Sequence, residues 1–327
     1  LCLLLASFAV VFALGAYTSY LMFIAPYKQN IGAKEASDLD SKASKPETDA
    51  LVLDDPTMDR VSKEQNHSIV AEKVSETETK KTTGILYTMP EESELHEGTW
   101  LQWPHQYQYG ETFRDRLDDT WVAITEALLK SEKVHIIVYD EDEKERVIDM
   151  LKEENIQLTD IDFNIYKTDD FWARDNGPIY VKDGEGNLVI EDWGFNGWGD
   201  KAKSENCDVI PEKIAVLQNT RYVDLNDKMI NEGGAVEIDG NGTLMATKSA
   251  ILNKNRNPNM TQEEAEEIFT KYLGVTNFIW LNGKAGLEIT DMHIDGFARF
   301  GNESTIVTMN ENDLLEYWQN CNDVGVI

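Results

Sequence analysis

Three stretches decide the fold: Asp175-Asn176-Gly177-Pro178-Ile179-Tyr180-Val181, Glu232-Gly233-Gly234-Ala235-Val236-Glu237-Ile238 and Asp295-Gly296-Phe297-Ala298-Arg299-Phe300. Each sets an acidic residue and a glycine ahead of an apolar strand. A tight turn follows at Asp183-Gly184-Glu185-Gly186, at Asp239-Gly240-Asn241-Gly242 and around Gly301-Asn302-Glu303. A second strand then begins at Leu188, Thr243 and Thr305. Asp-Gly and Gly-Asn pairs between apolar runs are hairpin signals, because they supply the positive φ that a two-strand turn needs. Gly177 and Gly234 are 57 residues apart, Gly234 and Gly296 are 62 apart, and that is a repeat. If each unit is a strand-and-helix blade set around an axis, equivalent positions face one centre. Asp175, Glu232 and Asp295 are therefore expected to converge. Glu97-Gly98-Thr99-Trp100-Leu101-Gln102-Trp103 reads as the opening of an earlier copy with a longer insertion.

Between these units the pattern alternates helix and strand. Phe113 to Lys130 carries Leu117, Trp121, Ile124 and Leu128 at helical spacing. Val134 to Tyr139 reads as a buried strand, Glu143 to Glu153 as a helix and Ile161 to Tyr166 as a strand. Thr261 with Glu264 has the capping-box spacing, Gly274 ends that helix, and Phe278 to Leu281 follows as a strand. Residues 1–25 contain no charged side chain, a length that can span a bilayer, and 1–27 reads as an uncleaved anchor or a signal segment. A membrane-anchored or secreted location follows as an expectation. Residues 28–84 are polar, lack Trp and Phe and show no period, so they read as a disordered linker, which leaves 85–327 as the folded domain. The formal net charge of −30 excludes the basic face that a nucleic-acid binder needs.

Three carboxylates in one pocket repel one another and raise one another's pKa, so such a pocket is stable around a cation. A metal would call for several oxygen ligands at alternate positions of one loop, and no such loop occurs. Cys2, Cys207 and Cys321 form no zinc spacing. Guanidinium fits better, being planar with donors that match carboxylates in pairs. His293, two residues before Asp295, would share a face with it on a strand and could move protons near neutral pH.

At these residues the chain resembles the agmatine deiminase family, which includes bacterial peptidyl-arginine deiminases. The resemblance rests on Met89-Pro90-Glu91 leading to Gly98–His105, on Trp172-Ala173-Arg174-Asp175-Asn176-Gly177-Pro178, on Glu232-Gly233-Gly234, on Leu252–Pro258 and on Thr290–Phe300 with its His293-Ile294-Asp295. It implies an α/β pentein fold, a pseudo-symmetric five-bladed αβ propeller, of which this sequence holds about four blades. It implies that a Cys thiolate attacks the guanidinium carbon through a thiouronium intermediate, without cofactor or metal. Asp175 and Asp295 would hold the guanidinium, His293 would act as general acid and then base, Glu232 would orient His293, and Trp172 would wall the pocket.

Two departures stand out. The family nucleophile lies in a Gly-rich segment downstream of His-Ile-Asp, and residues 1–327 hold no such segment. Cys321 has no glycine elbow, so the nucleophile is read as absent and these residues are expected not to turn over. Met292 and Gly296 stand where agmatine-specific members tend to have Gly and Asn. The resemblance thus implies agmatine hydrolysis to N-carbamoylputrescine and ammonia in putrescine biosynthesis, with peptidyl-arginine deimination as the alternative. A non-catalytic guanidinium or polyamine binder is a second alternative.

Overall fold

A computed structural model describes residues 84–302, 304–310, 312–314 and 316. The expected apolar segment 1–27, the linker 28–84 apart from Gly84, and Cys2 and Cys321 lie outside these residues. Among the described residues no helix is long and apolar enough to cross a membrane.

After the short β1 (Tyr87–Thr88) comes a parallel sheet of β2 (Gly98–Gln102), β3 (Lys133–Val138) and β4 (Ile161–Ile165). Parallel neighbours need a crossover, and α1 (Glu111–Leu128) and α2 (Glu141–Glu153) supply it. α1 buries Phe113, Leu117, Trp121 and Thr125, a stripe at four-residue spacing that covers the sheet. Asp140 starts α2 by accepting a hydrogen bond from the Glu143 N–H at 2.9 Å. The expected early copy of the repeat is corrected here. β2 pairs in parallel with β3 and forms no hairpin, and Glu97 is exposed, bound to Lys133 at 2.8 Å and His135 at 2.9 Å.

The other three units are hairpins. β5 (Ile179–Asp183) and β6 (Leu188–Asp192) are antiparallel, as are β8 (Val236–Ile238) and β9 (Thr243–Thr247), and β11 (Ala298–Asn302) and β12 (Thr305–Thr308). The first two hairpins each continue through a helix to a parallel strand. α3 (Ile210–Gln218) leads to β7 (Arg221–Asp224) beside β6, and α4 (Gln262–Leu273) leads to β10 (Asn277–Leu281) beside β9. β1 pairs with β5 at the edge of the first. The repeat read from the glycines is thus present as hairpin, helix and parallel strand.

One apolar cluster joins the two larger hairpin units: Val181, Val189 and Val223 pack with Val236, Leu244 and Ala246 against Phe269 and Leu273 of α4. Each large side chain so buried contributes about 1.5–3 kcal/mol. α4 has the expected capping box at Thr261 and Glu264 and ends at Gly274 with φ 74°. A side chain there would also meet the Tyr87 carbonyl at 2.7 Å, so glycine lets the end of α4 close onto β1.

Candidate active site

The acidic residues sit where the chain enters each hairpin. A single helical turn, Ala173–Asn176, carries Asp175 into β5. Glu232 precedes a 3-10 turn, Gly233–Ala235, that leads into β8. A 3-10 turn, Ile294–Gly296, carries Asp295 towards β11. The expected strand bearing both His293 and Asp295 is therefore corrected: His293 stands just outside the turn, and the turn, rather than a shared strand face, brings the two together.

Gly234 is where they meet. A Cβ on it would lie 2.6 Å from His293 Nδ1, 2.7 Å from Asp175 Oδ1 and 2.8 Å from Asp295 Oδ2. The pocket floor is bare backbone because three functional groups press on it. The Gly234 N–H also donates to Asp175 Oδ1 at 3.1 Å. Gly233 is equally tight, its Cβ position lying 2.1 Å from the Arg174 carbonyl oxygen.

His293 lies between two carboxylates. Its Nε2 is 3.1 Å from Glu232 Oε2 and its Nδ1 is 3.4 Å from Asp175 Oδ1. Burial alone would favour the neutral ring, but the charge and hydrogen bond of Asp175, then those of Glu232, hold its pKa well above the usual histidine value. Burial likewise pushes the Asp175 carboxyl up. The His293 charge, hydrogen bonds from His293 and Trp198 and the Gly234 N–H outweigh it, so the net shift is down. Asp295 differs. It accepts no hydrogen bond from the described residues, and burial, joined by the charge of Asp175, pushes its carboxyl up to about 6 against the pull of His293, Arg174 and Arg299.

Behind Glu232 the charges continue to alternate. Arg256 Nε donates to both Glu232 oxygens, at 2.8 and 2.9 Å, and its Nη1 donates to Asp291 Oδ2 at 2.5 Å. Asp291 also accepts from Lys201 Nζ at 2.7 Å and from the Gly286 N–H at 2.6 Å. Lys201 belongs to the turn that holds Trp198, whose indole Nε1 donates to Asp175 Oδ2 at 2.9 Å. The chain of contacts closes on itself: Asp175, His293, Glu232, Arg256, Asp291, Lys201 and, through that turn, Trp198. Trp198 (φ 59°), Asp291 (φ 61°) and Met292 (φ 68°) all adopt the left-handed backbone that L-residues disfavour. Thr247 Oγ1 and Ser249 Oγ hold the last two by donating to the Met292 and Asp291 carbonyls, each at 2.7 Å.

Arg174 does not pair with Asp175. It binds Glu92, which also binds Arg299, and Arg299 Nε reaches Glu237 Oε2 at 2.9 Å. Trp172 flanks the turn that carries Asp175 and packs against the buried Phe195, Trp198 and Cys207. Cys207 is fully buried, accepts from the Asp169 and Asp170 N–H groups, and burial pushes its thiol up to about 12. A thiol so placed is structural. Asp175, Glu232, His293 and Asp295 are thus brought together. Gly234, Arg256, Asp291 and Trp198 complete the site, and of these the sequence marks only Trp198, as a residue of a loop at the channel rim.

This α/β fold of hairpin units, whose entry turns deliver acids and a histidine to one glycine floor, is shared with known proteins. The chain belongs to the Porphyromonas-type peptidyl-arginine deiminase family, whose profile matches residues 88–322. It is similar to agmatine deiminase of Pseudomonas aeruginosa (strain LESB58), 33% identical over 218 residues that cover 65% of this chain and 57% of that protein. The chain thus spans less than two thirds of that relative's length. Among solved structures it resembles a C. jejuni agmatine deiminase with substrate bound, at 25% identity and TM-score 0.61, covering 73% of this chain and 70% of that one. Agmatine deiminase of Enterococcus faecalis, at 23% identity and TM-score 0.64 over 75% and 69% of the two chains, shares the fold.

Proposed function

We propose that this protein hydrolytically deiminates a guanidinium compound, and that the compound is agmatine, converted to N-carbamoylputrescine and ammonia. The carrying observation is the convergence at Gly234 of a carboxylate already engaged, Asp175, one left open, Asp295, and a charged His293. A planar cation with donors on both edges completes that arrangement. Binding it also removes the like-charge repulsion that raises Asp295.

On this reading a thiolate attacks the guanidinium carbon, and a C–S bond forms. His293 gives its proton to the departing nitrogen, which leaves as ammonia. The imidazole, now neutral, takes a proton from water as the water's oxygen bonds to carbon. The C–S bond then breaks, returning the thiolate, and the hydroxyl gives its remaining proton to solvent as the carbonyl forms and the ureido product leaves. Glu232 keeps the ring oriented through both transfers. The same reading takes the four sheets as four units of a five-unit propeller. Agmatine is preferred over a peptide because the P. aeruginosa relative is an agmatine deiminase. Peptidyl-arginine is the second reading, favoured by the family profile.

Ammonia release by the full-length protein from agmatine, free arginine and an arginyl peptide, offered in parallel, tests this. Turnover of agmatine alone supports the proposal, and turnover of the peptide replaces the substrate. Saturable binding of agmatine without ammonia would leave a guanidinium-binding domain, and neither binding nor turnover would overturn the assignment.

A further inference from the structure

Arg256 bonds to none of Asp175, His293 and Asp295, yet among the described residues it is the one cation besides His293 bonded to the carboxylate that faces His293 Nε2. The Arg256 and Glu232 side chains are both fully buried, and Asp291 is 1% exposed. Water therefore neither screens these charges nor replaces a lost partner. The fork of the guanidinium is fully engaged: Nε on the two Glu232 oxygens, Nη1 on Asp291, and Nη2 donating to the Thr290 carbonyl at 3.1 Å. Thr290 and Asp291 lead directly to His293, so one planar group grips both the acid that orients the histidine and the segment that presents it.

The backbone around Arg256 is tied to the same place. The Arg256 N–H donates to the Asn253 carbonyl at 3.0 Å, closing a turn. Asn257 then anchors that turn: its Nδ2 donates to the Ile230 and Ile251 carbonyls at 2.8 and 2.9 Å, and its Oδ1 accepts from the Ile230 N–H at 2.9 Å. Ile230 lies two residues before Glu232. The distance between the Arg256 and Glu232 backbones is thereby set by two independent connections, one through side chains and one through Asn257.

We propose that Arg256 is a positioning residue for the reaction, fixing Glu232 as a single-orientation partner of His293 Nε2, with Asp291, itself bonded to Lys201, holding the guanidinium from the other side. This rests on the function proposed above. A neutral residue at 256 removes a buried positive charge that disfavours the proton on His293, so the His293 titration must move to higher pH. A lysine keeps the charge and loses the fork.

The test compares Arg256→Gln and Arg256→Lys in the full-length protein. Arg256→Gln is expected to lower kcat about tenfold or more with KM within about threefold, and to move the alkaline limb of kcat/KM, where His293 loses its proton, up by about one pH unit. Arg256→Lys is expected to return the limb to its wild-type position while kcat stays low. Wild-type kcat in Arg256→Gln, or an equal loss in both variants with an unmoved limb, would overturn the proposal. Should Arg256→Gln not fold, Arg256→Lys decides: a lowered kcat at unchanged KM supports the assignment, and an unchanged kcat overturns it. The His293 imidazole resonances, titrated by NMR without substrate, separate this from the functional reading. A protein that releases no ammonia, yet whose His293 titration moves with Arg256→Gln and returns with Arg256→Lys, would refute the function and retain the clamp. An unmoved titration would refute the clamp.

Discussion

Glu232 and Asp295 hold equivalent places in two repeats, each at the entry to a hairpin, and their surroundings have made opposite use of them. Glu232 is fully buried, with both oxygens on Arg256 and one facing His293. Asp295 is partly exposed, accepts no hydrogen bond from the described residues, and has the charges of His293, Arg174 and Arg299 to offset Asp175. The repeat supplies position, and the long-range partner decides whether a carboxylate becomes part of the scaffold or remains available to a ligand.

The sharpest way to break this comparison is to neutralise each acid and measure stability and activity together. Glu232→Gln takes from the buried Arg256 one of its two countercharges, leaving only Asp291, and is expected to cost up to about 3–5 kcal/mol of folding stability, along with most of the activity. Urea unfolding reads the first and ammonia release the second. Asp295→Asn should separate the two effects. It removes a charge-assisted contact to the substrate, lowering kcat/KM about 100-fold. It also relieves repulsion with Asp175, so stability should hold or rise by up to about 1 kcal/mol. A destabilised Asp295→Asn protein would mean that Asp295 is scaffold as well, and the contrast between the repeats would fail.

Acidity sharpens the comparison further. The Asp295 carboxyl sits at about 6, above its ordinary value, so its protonated form grows as pH falls through that region. A protonated Asp295 cannot balance a guanidinium charge. Thus kcat/KM is expected to decline below about pH 6 by up to about tenfold per unit, and a binding isotherm for agmatine should weaken over the same range. The sign for stability is the reverse: a carboxyl raised in the folded state binds its proton more tightly there than when unfolded. This group's contribution to stability is therefore greatest in acid and declines as pH rises towards 6. In Asp295→Asn both dependences on this group should vanish.

What the sequence disclosed depended on the range of the interaction. The helices, the Thr261 capping box and the three hairpins were legible because their signals are local: apolar spacing, a cap three residues from its partner, Gly beside Asp or Asn. Convergence of Asp175, Glu232 and Asp295 was legible through the repeat. The parallel strand β2 was misread as another hairpin unit because Glu97-Gly98 imitates the opening of the motif, while pairing with β3 is decided 30 residues on by α1 and the apolar run of Val134 to Val138. The 3-10 turn at Ile294–Gly296 was misread as strand because alternation of His293 and Asp295 fits both. Arg256 lay in a quoted motif but gave no sign of its role, since Glu232 and Asp291 are 24 and 35 residues away in sequence. Asp291, two residues before His293, was the nearest clue.

The smallest expected effect concerns the strained turn that delivers His293 to Glu232 while leaving Asp295 free. Met292 is buried and has φ 68°, a conformation that costs an L-residue about 1–2 kcal/mol and glycine almost nothing. Replacing Met292 with alanine or glycine loses the buried side chain beyond Cβ, about 1.5–3 kcal/mol, and glycine loses the Cβ as well, up to about 0.8 kcal/mol more, but only glycine relieves the backbone. Glycine's larger unfolded-state entropy takes back about 0.4–1 kcal/mol. Met292→Gly should therefore be the more stable of the two by somewhat under about 1 kcal/mol, the reverse of the usual order in a regular element. Thermal unfolding of the pair decides it. If alanine proves the more stable, the turn relaxes out of the left-handed region when the methionine is gone, and the hydrogen bonds from Thr247 and Ser249 are too weak to hold it. His293 would then be expected to lose its fixed approach to Glu232, and its titration in that variant would be broader than in the wild type.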